Sequence, residues 1–155
     1  MKIILEQIDE SEEEQIIVKS HRMRPELLQS LNLIADAKPN GRDYFFALSG
    51  EEIFRVNPSD ILYIESVDGK TFMYCSERVY ESKQKLREFE ELLKEKNFLR
   101  SSRTMIINVD KVRSFSPAAA GQLRVTMLNG EKVLITRRYA NAVKAALGIY
   151  AAIQA

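Results

Sequence analysis

The chain has 155 residues, 45% hydrophobic and 29% charged, with a formal net charge of +1. That length holds one ordinary domain, or one domain with a small appendage, and the composition is that of a globular protein, not a disordered or fibrous one. No apolar run approaches the roughly 18 residues of a membrane helix, and the single cysteine, Cys75, excludes an internal disulfide and a CxxC metal knuckle.

The first 40 residues are expected to form a small ββα unit. Met1–Glu6 lacks the apolar stretch and cleavage site of a secretion signal, which with the lone cysteine points to the cytoplasm. Residues 2–8 and 15–19 read as short strands around the acidic run Asp9–Glu14. Pro25 then sits where a first helical turn accepts it, and Leu27, Leu28, Leu31 and Ile34 follow at helical spacing. Lys38-Pro39-Asn40-Gly41 breaks that helix and reads as a linker. Residues 1–40 are too few to bury a core of their own, so they are expected to pack on the second domain or to pair with a second chain.

Residues 41–150 read as the main domain. Tyr44–Leu48 leads through Ser49-Gly50 to Glu52–Val56, Ile61–Val67 through Asp68-Gly69 to Thr71–Cys75, and Leu123–Leu128 through Asn129-Gly130 to Lys132–Ile135. Asp-Gly and Asn-Gly supply the positive φ angles of tight hairpin turns. In the third hairpin Leu123, Val125 and Met127 fall on one face, opposite Arg124 and Thr126. Ser82 is placed to cap a helix over residues 83–94, which would bury Leu86, Phe89, Leu92 and Leu93. Thr136 is placed to cap a last helix that buries Tyr139, Val143 and Leu147 and ends at Gly148. The fold class expected is α+β, dominated by antiparallel hairpins.

Charge is unevenly spread along this order. Residues 98–139 carry 8 Lys/Arg against 2 Asp/Glu, whereas residues 1–40 carry 5 against 8 and residues 41–97 carry 9 against 12. A near-neutral protein with its excess positive charge in one stretch should present a basic face to an anionic partner.

Catalytic patterns are sparse. The one histidine, His21, lies beside the N-terminal helix, far from Cys75, and a surface or capping role explains it. There is no GxxxxGK[ST] loop, no GxGxxG after a strand and no HExxH. Asp60, Glu65 and Asp68 could be imagined as an acid/base pair or a metal cluster, but Glu65 and Asp68 border a turn, where solvated acids are ordinary. Cys75 in a strand reads as a small buried apolar residue. We expect no enzyme, no metal, no cofactor and no small-molecule substrate.

The segment from Asn97 to Val112 carries the most information: the aromatic Phe98, then Arg100 with Ser101, Ser102, Arg103 and Thr104, then an apolar triplet closed by Asn108. Upstream stands Asp60-Ile61-Leu62-Tyr63-Ile64-Glu65-Ser66, and downstream Ile135-Thr136-Arg137-Arg138-Tyr139 before the last helix. In order and spacing these motifs resemble the LytTR DNA-binding domain family over about residues 44–148. The resemblance implies an elongated fold of small antiparallel sheets whose loops, in place of a recognition helix, reach successive major grooves of double-stranded DNA. Such a protein would regulate transcription, as a homodimer on DNA.

Carried over by position, three loops matter. The base-contacting residues implied are Lys70 and Thr71 in the first, Ser102 and Arg103 in the second, and Arg138 in the third. Phosphate contacts are implied for Arg100, Ser101, Thr104, Lys111 and Arg137. The chemistry suits these roles: Arg presents a fork to the O6 and N7 of guanine and pairs equally with phosphate, and Ser and Thr hydroxyls serve phosphates or base edges. Some family members carry His and Asn where this chain has Ser102 and Arg103, so base preference does not transfer from them. Only about 40 residues precede the family region, fewer than a receiver domain needs, so phosphorelay control is not expected. The short leading unit is similar to that of small stand-alone members, often encoded beside a membrane protein that restrains them. The alternative class is a protein- or RNA-binding module that uses the same basic face.

Overall fold

Short runs of aromatic and β-branched residues, separated by turn residues, make this chain a succession of hairpins. The computed structural model describes residue 4 and residues 6–13, 15–22, 24–36 and 44–148. Strands β1 (Phe45–Ser49) with β2 (Glu52–Val56) and β3 (Ile61–Val67) with β4 (Lys70–Cys75) are two of the expected hairpins. Strands β5 (Val79–Ser82), β6 (Phe98–Ser102), β7 (Met105–Asn108) and β8 (Val112–Pro117) follow. The third expected hairpin, β9 (Leu123–Met127) with β10 (Lys132–Ile135), ends the series.

Every pairing is antiparallel, and the strands gather into one seven-stranded sheet, β2-β1-β5-β4-β3-β7-β6, and one three-stranded sheet, β10-β9-β8. The central pair β3–β7 separates two apolar cores. Ile64 lies opposite Ile106, and both face the core of Phe45, Met73, Phe89 and Leu93; Tyr63 lies opposite Ile107, and both face the core of Leu123, Val125, Met127, Ile135 and Val143. Adjacent residues thus serve opposite layers, as the two-residue period of a strand requires. The α+β fold dominated by antiparallel strands that is expected from the sequence is the one observed.

Three helices complete the described residues. Helix α1 (Pro25–Asp36) begins at the expected proline and buries Leu28 against β1. Helix α2 (Leu86–Leu92) packs Leu86 and Phe89 into the first core, and the Phe89 ring meets Phe45 edge-on at 5.3 Å between centroids. It is shorter than the span 83–94 expected from apolar spacing. Ser82 closes strand β5 opposite Thr71, and its Oγ accepts from the Gln84 amide at 3.2 Å, so Lys85 is the residue that precedes the helix. Helix α3 (Arg137–Leu147) buries Ala140 and Val143 and stops at Gly148. Thr136 stands at its cap position, but its hydroxyl bonds Ser101 in place of the helix.

The two N-terminal strands are not observed among the described residues. Residues 6–8 and 15–19 form no strand, and Ile16 and Ile17 are 65% and 67% exposed, so no neighbouring strand or core takes them up. The linker expected at Lys38–Gly41 lies outside the described residues. No helix among the described residues is long and apolar enough to cross a membrane.

Asn108, which closes the apolar triplet, has a structural task. Its buried side chain donates from Nδ2 to the Ile61 carbonyl at 2.9 Å and accepts from the Asp110 amide at 3.1 Å, locking the end of β7 to the start of β3. Asn108→Ala leaves the Ile61 carbonyl without this partner, and we expect a loss of about 1–3 kcal/mol. A urea unfolding midpoint equal to that of the parent would contradict that role.

Candidate nucleic-acid interface

Asp68 and Gly69 form the two-residue turn between β3 and β4, with φ of 49° and 77°. Both positive angles belong to the primed turn whose twist matches the flanking strands, and Gly tolerates this conformation without a Cβ penalty. Lys70 leaves this turn exposed to solvent. Thr71 does not: it pairs with Ser66 on one side and Ser82 on the other and is 4% exposed, so its side chain has no surface to offer a base.

The second loop joins β6 to β7. Arg103 and Thr104 are exposed at its tip, and the half-buried Ser102 accepts from the Thr104 amide through Oγ at 3.3 Å. Ser101 is fully buried and donates its hydroxyl to the Met105 carbonyl at 3.3 Å, which removes it from the phosphate contacts expected of it. Arg100 is likewise engaged within the fold. Its Nε meets Glu90 Oε2 at 2.8 Å, its Nη1 donates to the Arg103 carbonyl at 2.7 Å, and its side chain is 17% exposed. It braces the loop from behind while Arg103 points outward from the tip.

The third loop is the entry to α3. The Thr136 amide and hydroxyl both donate to the Ser101 carbonyl, at 2.9 and 3.4 Å. Arg137 and Arg138 follow, both exposed, with the Arg138 guanidinium 5.4 Å from the centre of the Tyr139 ring. The loop from β8 to β9 lies against this entry. Gly121 there has φ of 77°, which favours glycine, and a Cβ added to it would come within 3.2 Å of Arg137 Cγ and press on the arginine stem that lies across it.

Two further ties bring the loops together. The Ser66 amide donates to the Thr104 carbonyl at 2.8 Å, which fixes the first loop beside the second, as the Ser101–Thr136 bonds fix the second beside the third. Lys70, Arg103, Arg137 and Arg138 therefore line one edge. Lys111 is not with them. It ends the 3-10 turn after β7, at the start-of-β3 end of the sheet, where it shares a groove with Arg55, Asp60 and Arg78.

Residues 51–148 match the family described as the LytTr DNA-binding domain. The chain belongs to the LytTR family. It is 29% identical over 147 residues to the sensory transduction protein LytT of Bacillus anthracis, covering 94% of this chain and 60% of that relative. It is 28% identical over 103 residues to the LytT of Enterococcus faecalis, covering 66% of this chain and 43% of that one. The chain thus spans about 60% or less of the length of these relatives. A solved LytTr DNA-binding domain from Bacillus cereus superposes with a TM-score of 0.65 at 30% identity, covering 70% of this chain and 99% of that domain.

Within this LytTR domain the imagined catalytic groups do not assemble. Asp60 precedes and Asp68 follows the seven-residue strand β3, which at about 3.3 Å per residue keeps them roughly 26 Å apart. Burial, with a further push from Asp60, raises the Cys75 thiol to about 12, so at neutral pH it is a protonated side chain packed against the first core. Among the described residues no three His, Cys, Asp or Glu side chains group as a metal site would need.

Motif order in a LytTR sequence locates the loops but not which of their residues face outward. The small polar residues Thr71 and Ser101 look like surface hydroxyls until the sheet is drawn, and only the pairing of β4 with β5 shows Lys83 emerging beside Lys70. The signal available was the β-branched and aromatic pair Val79-Tyr80, which opens a strand that runs to Ser82, where apolar spacing suggests a helix start.

Proposed function

We propose that this chain is a sequence-specific, double-stranded DNA-binding regulator of transcription that sets its inter-strand loops into successive major grooves. The observation that carries this reading is the joining of three separate loops into one edge by the Ser66–Thr104 and Ser101–Thr136 hydrogen bonds. Membership of the LytTR family supports the nature of the ligand. The base-reading side chains are Lys70, Ser102, Arg103 and Arg138; Thr104 and Arg137 contact phosphates. Thr71, Ser101 and Arg100 position those residues from within the fold. The role is non-enzymatic and belongs in the cytoplasm, where DNA is accessible.

We read residues 41–150 as the DNA-binding domain and residues 1–40 as a regulatory or dimer contact. One small module buries too little for tight specific binding, so two chains on half-sites about one helical turn apart are expected. Exposed Ile4, Ile16 and Ile17 give the leading segment an apolar surface for a second copy, and a restraining membrane protein would compete for it.

Salt tests the reading. Log affinity for a duplex selected from a random-sequence library should fall linearly with log salt, at a slope near −0.9 for each phosphate neutralised. Native mass measurement of the same complex should give two chains per duplex. Affinity indifferent to salt would remove the DNA reading, and one chain per duplex would remove the dimer.

A further inference from the structure

We infer that Lys83 and Lys85, on the segment between β5 and α2, form a phosphate-contacting arm that extends DNA contact beyond the three loops. The inference rests on the DNA-binding reading above but concerns residues outside the loops that reading uses.

The arm begins from a rigid base. Ser82, Gln84 and Leu86 are buried while Lys83 and Lys85 are exposed, so the bend between β5 and α2 leaves both lysines to solvent. The Gln84 amide donates to Ser82 Oγ at 3.2 Å, holding that segment in place. Because Ser82 lies opposite Thr71, the next residue along, Lys83, emerges beside Lys70 at the edge that also carries Arg103. From β5 across β4, β3 and β7 to β6 there are four strand steps of about 4.8 Å, or about 19 Å. The basic row is thereby long enough to follow more than half of a DNA turn of roughly 34 Å.

The charges on this strip favour the same assignment. Lys70, Lys83 and Lys85 form no ion pair among the described residues, although Glu81 stands two positions before Lys83 in β5. Like charges on neighbouring strands repel and cost stability in the free protein; a run of phosphates relieves that cost. A further cation stands close by. Pro25, Leu28 and Gln29 of α1 line a crevice with Ser82, Lys83 and Gln84, so the exposed Arg24 at the head of α1 lies near the same strip. The occupant that fits is the sugar-phosphate backbone of the duplex flanking the base-read site.

The test compares the full chain with its Lys83→Ala/Lys85→Ala variant on a 30-base-pair duplex carrying the library-selected sequence. The arm predicts a salt slope flatter by about 1.8 units, 0.9 for each lysine, so that between 50 and 200 mM salt the variant loses about twelvefold less affinity than the parent does. Preference at each base pair should stay as in the parent, and backbone protection should shrink at one flank of the footprint. The charge-conserving Lys83→Arg/Lys85→Arg variant should restore slope and footprint. If the parent binds its duplex and the alanine variant keeps the full slope and footprint, the arm is wrong and the loops stand. If the parent selects no duplex, both readings fall together.

Discussion

Replacing Arg138 or Arg103 with alanine should each remove discrimination at one particular base pair, by about 1–3 kcal/mol of preference. Both side chains are exposed, and neither replacement takes a packed group from a core, so the fold should be unaffected. Their main chains are held by other residues. Arg100 bonds the Arg103 carbonyl, and Thr136, two residues before Arg138, is tied to Ser101. The measurement is affinity of each variant for the selected duplex and for a panel of single-base changes at fixed salt. A uniform loss across the panel would make these arginines phosphate anchors, and specificity would then fall to Lys70, Ser102 or DNA shape.

The largest effect on stability is expected at Phe89. It is fully buried at the centre of α2, against Phe45 and within reach of both β3 and β6 through its helix. Phe89→Ala should cost about 3–5 kcal/mol, read from chemical unfolding. A cost below about 1 kcal/mol would show that α2 is not a lid on the first core. The change should also reach the interface. Glu90, the next residue, holds Arg100, and Arg100 holds the Arg103 carbonyl, so a loosened α2 slackens the second loop.

Much of this architecture was legible in the residues, and the failures share a cause. Turn dipeptides announce themselves locally, so the hairpins at Asp68-Gly69 and Asn129-Gly130 could be placed without knowing what lay around them. The start of α2 could not, because Ser82 is as good a helix cap as a strand end, and pairing with Thr71 decides between them. The same limit applies to the site. Its three loops follow from motif order, but exposure depends on partners distant in sequence. Ser101 is hidden by the elements packed around β6, Thr71 by strands on both sides, and Lys111 is carried by the direction of β7 to the far end of the sheet. Arg100 illustrates the point in one residue. Arginine beside a polar loop suggests a phosphate ligand, yet Glu90 comes from a helix whose position no local pattern fixes.

The bonds that join the three loops have a consequence for how such a recogniser changes over time. Their acceptors are main-chain carbonyls, those of Ser101 and Thr104, and main-chain atoms are the same whatever side chain a codon specifies. Mutation at the tips of the loops therefore leaves the frame that aims them intact. Binding preference can drift, or be rewritten deliberately, one exposed position at a time, while the scaffold is inherited unchanged.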